Sequence, residues 1–68
     1  MIVMSEMYVV VRYYTEAGFV ACADFYQLDD AREYFLWQKK RNPGQIFEWR
    51  LYRREYTDDG IVHTLLEG

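Results

Sequence analysis

The sequence predicts an α+β domain: a four-stranded antiparallel sheet with one helix on one face, in the chain order ββαββ. Three observations carry this. Two stretches rich in Val, Tyr and Phe flank the turn Thr15-Glu16-Ala17-Gly18. An amphipathic stretch then runs from an acidic start to a basic end and stops at Asn42-Pro43-Gly44. A second pair of alternating stretches flanks Thr57-Asp58-Asp59-Gly60.

The first strand is placed at Met7 to Tyr14, since β-branched and aromatic side chains suit a pleated, half-buried surface. Gly18 closes the turn, where a positive φ costs glycine nothing. The second strand is placed at Phe19 to Phe25. Pairing Tyr14 with Phe19 sets Arg12 opposite Ala21, Val10 opposite Ala23 and Tyr8 opposite Phe25. That register puts Met7, Val9, Val11, Tyr13, Val20 and Cys22 on one face. Tyr8, Val10, Tyr14, Phe19, Ala21, Ala23 and Phe25 fall on the other.

The helix is placed at Leu28 to Arg41. Gln27 stands at its N-cap with Asp30 three residues on, a weak capping box. Asp29 and Asp30 in the first turn, and Lys39, Lys40 and Arg41 in the last, both complement the helix dipole. At helical spacing Leu28, Ala31 and Phe35 share a face, with Tyr34 and Leu36 on its flanks. Trp37 falls on the opposite side, among Glu33, Lys40 and Arg41. Proline cannot continue a helix, so Asn42-Pro43-Gly44 ends it.

The third strand is placed at Gln45 to Tyr56, where Phe47, Trp49 and Leu51 alternate with Glu48, Arg50 and Tyr52. The fourth runs from Ile61 to Leu66. Pairing Tyr56 with Ile61 sets Arg54 beside His63 and Tyr52 beside Leu65. A right-handed crossover makes the second and third strands parallel, and the first strand fits between them, antiparallel to both. The predicted sheet order is therefore 2-1-3-4. Residues 1–6 are left as a flexible N-terminal segment outside the sheet. The first two strands are apolar on both faces and one helix covers only one. The other face calls for the N-terminal segment, a second copy or a partner protein.

With 68 residues the chain makes one small domain. A 51% hydrophobic and 28% charged balance is globular, which excludes a disordered tail. A single Cys and a single His exclude an internal disulfide and a Cys/His zinc site. A net charge of -3 argues against a globally basic nucleic-acid binder. The apolar opening Met1-Ile2-Val3-Met4 is too short for an export signal or a membrane span. A cytoplasmic setting, in a bacterial host, is expected from that and from the lone Cys.

Candidate chemistry is sparse. Cys22 and His63 are the one nucleophile–base pair available, and the predicted order sets them on opposite edge strands. Cys22 reads as a small core residue and His63 as a cross-strand neighbour of Arg54. Ser5, the only serine, lies in the N-terminal segment, which leaves no serine hydrolase. Asp24, Asp29 and Asp30 would need further oxygen ligands to hold a metal. The carboxylates are too scattered to imitate a row of phosphates. We therefore expect no catalytic residues, no metal and no cofactor.

The basic residues are more informative. Lys39, Lys40, Arg41, Arg50, Arg53 and Arg54 gather in one stretch, interleaved with Trp37, Trp49, Tyr52 and Tyr56. Arg and aromatic side chains are enriched at protein interfaces, and the same pairing suits single-stranded nucleic acid. The expected partner-binding set is Trp37, Lys40, Arg41, Arg50, Tyr52, Arg54 and Tyr56, with Trp37 and Arg50 as anchors. Two alternatives stand beside a protein partner. One is a nucleic-acid binder using the basic-aromatic patch 39–54. The other is a homodimeric structural protein joined through the free sheet face or an edge strand.

The run Phe25-Tyr26-Gln27-Leu28-Asp29-Asp30-Ala31-Arg32-Glu33-Tyr34-Phe35 is followed by Asn42-Pro43-Gly44 and then by a Trp/Arg strand. In layout, over residues 19 to 56, this resembles small phage-encoded accessory proteins. Some of these bind and block host machines such as RNA polymerase, restriction enzymes or CRISPR effectors. The resemblance implies a non-enzymatic binding protein, an inhibitor acting on a host protein or protein–nucleic-acid complex. It assigns a role to no individual residue.

Overall fold

A computed structural model describes residues 2–42 and 46–68 of the chain. Five elements follow one another: β1 (Val3–Tyr14), β2 (Gly18–Phe25), α1 (Leu28–Arg41), β3 (Glu48–Thr57) and β4 (Gly60–Glu67). The strands form one antiparallel sheet in the order β2-β1-β3-β4, as predicted. The order follows from burial. Of the two strands with apolar residues on both faces, β1 takes the central place, with a neighbour on each side, and β2 an edge. Val9, Val10 and Val11 are all fully buried.

The helix covers the face that carries Val10. There Ala31 and Phe35 of α1 meet Val10, Trp49 and Leu51, with Tyr8, Phe25, Leu28, Tyr34, Phe47 and Leu66 packed around them. Burying one Phe35-sized side chain contributes about 2–3 kcal/mol. A domain this small has few such residues, so each counts heavily. Arg32 ties α1 to β4 through Glu67 at 2.8 Å. Trp49 donates its indole N–H to the backbone carbonyl of Asn42 at 2.7 Å and so anchors the C-terminal end of α1 to β3.

The bounds of α1 are those predicted, but two details differ. Gln27 stands at the N-cap with no side-chain bond, so the capping box does not form. Leu36, expected on the flank of the buried face, is exposed, because the helix turns Tyr34 rather than Leu36 toward β2. Trp37 lies on the open side as predicted, 49% exposed. β3 starts at Glu48, past the predicted Gln45, because Ile46 and Phe47 form a bend; the predicted turn at Pro43-Gly44 and Gln45 itself lie outside the described residues.

β1 starts at Val3 rather than Met7, so residues 3–6 extend the strand instead of standing apart from it. They pair with the far end of β3, Val3 facing Thr57 and Ser5 facing Tyr56. Ile2 and Asp58 add two further bonds, from Ile2 N to the carboxylate at 2.8 Å and from Asp58 N to the Ile2 carbonyl at 3.2 Å.

The β3–β4 register is the predicted one: Tyr56 faces Ile61, Arg54 faces His63 and Tyr52 faces Leu65. The β1–β2 register is as predicted only at one end. Tyr8 faces Phe25 and Val10 faces Ala23, but then Val11 faces Ala21 and Tyr13 faces Phe19. Cys22 has no opposite number, so β2 carries one extra residue there. Such a bulge reverses which face the following side chains take. Phe19 and Ala21 consequently join Val9, Val11 and Tyr13 on the helix-free face, and Val20 leaves it. Cys22, expected in the core, is exposed at this bulge.

Candidate functional site

The helix-free face is built from alternate residues of each strand. β1 contributes Met7, Val9, Val11 and Tyr13; β3 contributes Arg50, Tyr52, Arg54 and Tyr56, which alternate with Trp49, Leu51, Arg53 and Glu55 on the helix side. β2 adds Phe19, and β4 adds Ile61, His63 and Leu65.

Arg50 organises one end of this face. Its guanidinium lies over the Tyr13 ring, 3.7 Å from the centroid. It donates to the Tyr52 hydroxyl at 3.1 Å and to the Glu48 carboxylate at 3.1 Å. The Tyr52 hydrogen bond, ahead of the Glu48 contact, holds the guanidinium pKa above its ordinary value. A planar fork stacked on one ring and bonded to two acceptors is a geometry lysine cannot copy.

Three rings fill the middle. Phe19, Tyr52 and His63 stand with centroids 5.8, 5.3 and 6.0 Å apart, in tilted and edge-on arrangements. Arg54 donates its Nε–H to His63 Nε2 at 2.9 Å, a contact that favours the neutral imidazole. Burial against the rings, and secondly the Arg54 charge, hold the His63 pKa below its ordinary value. The Tyr56 hydroxyl reaches the Met7 sulfur at 3.8 Å. These side chains close over Val9 and Val11, so the chain itself covers the middle of the face. An apolar rim stays open: Phe19 is 43%, Ile61 58% and Leu65 51% exposed.

The seven residues expected to bind a partner therefore divide. Arg50, Tyr52, Arg54 and Tyr56 come together on the helix-free face. Trp37, Lys40 and Arg41 lie on α1, on the other side of the sheet, where the Arg41 guanidinium stacks on Trp37 at 4.7 Å. The six clustered cations likewise form no single patch. Lys39, Lys40 and Arg41 lie on α1. Arg53 lies on the helix side of β3 with its Nε 3.6 Å from Glu55. Only Arg50 and Arg54 face the open side.

Tyr13, Phe19, Ile61, His63 and Leu65 are members of this face that the expected set lacks. Tyr13 faces Glu48, so Arg50 is its diagonal neighbour, a relation that the register alone contains. For Phe19 no sequence signal marks the extra residue at Cys22. No group of three or more His, Cys, Asp or Glu able to hold a metal ion occurs among the described residues. No helix among them is long and apolar enough to cross a membrane.

The chain matches no known protein family, and no curated protein or solved structure matches it.

Proposed function

We propose that the chain is a non-enzymatic protein-binding module that engages its partner through the helix-free face of the sheet. The arrangement around Arg50 carries this reading: a guanidinium stacked on Tyr13 and held by Tyr52, at one end of a face whose exposed apolar residues are Phe19, Leu65 and, at the far end, Ile61. Arg and aromatic side chains in a desolvated centre are the usual energetic anchors of protein interfaces. Side chains already fixed by their neighbours lose little further freedom on binding, which favours affinity. Arg54 pairs with His63 and with no carboxylate among the described residues. The fitting partner surface presents an acidic side chain beside apolar ones.

The narrower reading is an inhibitor of a host nucleic-acid machine, such as a CRISPR effector, RNA polymerase or a restriction complex. Its support is the layout of residues 19 to 56.

The test is a nuclease-treated pull-down from bacterial lysate with the wild-type chain, Leu65→Asp and Arg50→Ala in parallel. A stoichiometric protein that the wild type retains and both variants lose is the expected result. Retention by both variants would exclude this face. Capture that disappears with nuclease would point to nucleic acid held by Arg and stacked rings. Self-association seen by light scattering and abolished by Leu65→Asp would make the partner a second copy.

A further inference from the structure

A groove of about 500 Å³ runs between the end of β2 and α1, lined by Phe25, Asp30, Glu33, Tyr34 and Trp37. Four of these residues come from one stripe of α1, since spacings of three and four place side chains on a common helix face. Phe25 comes from β2, whose last residues lie against that stripe. The three rings are not stacked flat. Phe25 and Tyr34 are 5.4 Å apart at 47°, and Tyr34 and Trp37 are 6.4 Å apart at 45°. All three rings line the hollow, each inclined to the next.

Two carboxylates stand among these walls, and neither Asp30 nor Glu33 has an ion-pair partner among the described residues. A hollow of π faces with unpaired carboxylates repels anions and offers a neutral apolar group only the rings. A cation carried on alkyl groups uses both: its charge is attracted to the ring quadrupoles and the carboxylates, and its methyl groups fill apolar space. The Arg41 guanidinium stacks on one face of Trp37 at 4.7 Å, so an added cation must use the remaining ring surface and the carboxylates.

We propose that this groove binds an alkylammonium cation, a quaternary ammonium group above all. The site is separate from the sheet face and does not depend on it. The side chain of a trimethylated lysine and a free quaternary ammonium compound share the chemistry.

The test is an NMR titration of the ¹⁵N-labelled protein with choline chloride, at ionic strength matched with sodium chloride. The neutral isostere 3,3-dimethylbutan-1-ol serves as the control. The Trp37 indole N–H resonance is expected to shift saturably with choline, and at least about tenfold more weakly with the alcohol. Glu33→Gln together with Asp30→Asn is expected to weaken choline several-fold. Trp37→Ala is expected to abolish the response, read then from the Glu33 and Tyr34 amides. All three substituted residues are exposed, so the fold is retained, and unchanged spectra elsewhere confirm it. Equal affinity for choline and the alcohol would overturn the proposal, as would the lack of any saturable shift up to about 100 mM. N-acetyl-trimethyl-lysine amide identifies the source. Binding tenfold tighter than choline supports a modified protein side chain, and equal binding supports a free quaternary ammonium compound.

Discussion

Phe19 and His63 sit on the two outermost strands of the sheet, yet their ring centroids are 5.3 Å apart. Three strand spacings separate β2 from β4, roughly 14 Å at the usual interval. The two side chains therefore lean inward across β1 and β3, with Tyr52 between them. Val9 and Val11 lie fully buried beneath. The face without a helix has a small core of its own.

The stability of the protein is expected to fall with pH as His63 titrates. Its folded pKa is held below the ordinary value of 6.5, by burial first and then by Arg54. As pH falls through that value, the unfolded imidazole takes up a proton that the folded one resists. The unfolded state then binds more protons, so stability declines as pH falls and is level above about pH 7.5. Urea midpoints measured from pH 8 to pH 5.5 should show this decline, and His63→Phe should reduce it. A wild-type midpoint that rises toward pH 5.5 would contradict the assignment.

Phe19→Ala should act on both stability and titration. The ring is 43% exposed, so its loss should cost about 1–2 kcal/mol, less than for a fully buried Phe. Removing it also opens His63 to water, so the imidazole pKa should rise toward its ordinary value. An NMR titration of the imidazole Cε1–H checks this. An unchanged pKa would mean that Arg54 rather than burial sets it.

Trp49→Phe should loosen the end of α1. The substitution keeps most of the apolar volume but removes the indole N–H donated to the Asn42 carbonyl at 2.7 Å. Asn42 is exposed, so water can replace part of the lost bond, and the cost of losing it should be about 0.5–1.5 kcal/mol. Hydrogen exchange at the Asn42 amide, which donates to the Gln38 carbonyl at 2.8 Å, should accelerate. Unaltered exchange there would place the effect of Trp49 in the core alone.

The two hairpin glycines should respond differently to substitution. A Cβ at either would meet nothing within 4 Å, so the backbone alone decides. Gly18 has φ +81, near the left-handed region that Asn tolerates, and Gly18→Asn should be mild. Gly60 has φ +127, where side-chain-bearing residues are strained, and Gly60→Ala should cost more than about 1 kcal/mol. Thermal midpoints of the two variants compare them directly, and equal shifts would refute the distinction.

The sheet order, the helix bounds and the β3–β4 register were legible in the sequence because alternation and turn chemistry point the same way. Thr57 and Gly60 frame a tight turn, and from there each pair follows by counting. The β1–β2 register was legible only as far as Val10 and Ala23. Nothing in Ala21-Cys22-Ala23 marks the extra residue, since three small side chains fit either face. That single residue moves Phe19 to the opposite side of the sheet. The Arg50–Tyr52 half of the face could be read from β3 alone, and the Phe19 half could not. Trp37, Lys40 and Arg41 lie apart from the β3 residues for another reason. Closeness in sequence across the α1–β3 connection does not place side chains on the same side of a sheet.

The central position of β1 also bears on how the chain folds. β1 can zip onto β2 across a short turn, but its pairing with β3 joins Val3 to Thr57 and Tyr13 to Glu48. Even the nearer of these pairs encloses all of β2 and α1. The loop entropy must be lost before that ladder begins to compensate. Until that ladder forms, β1 has an unpaired edge open to strand addition by another chain. Closing β1 onto β3 would then set the folding rate. Substitutions in the Val9–Tyr52 and Val11–Arg50 pairs should slow folding more than they speed unfolding, and substitutions in β4 should do the reverse.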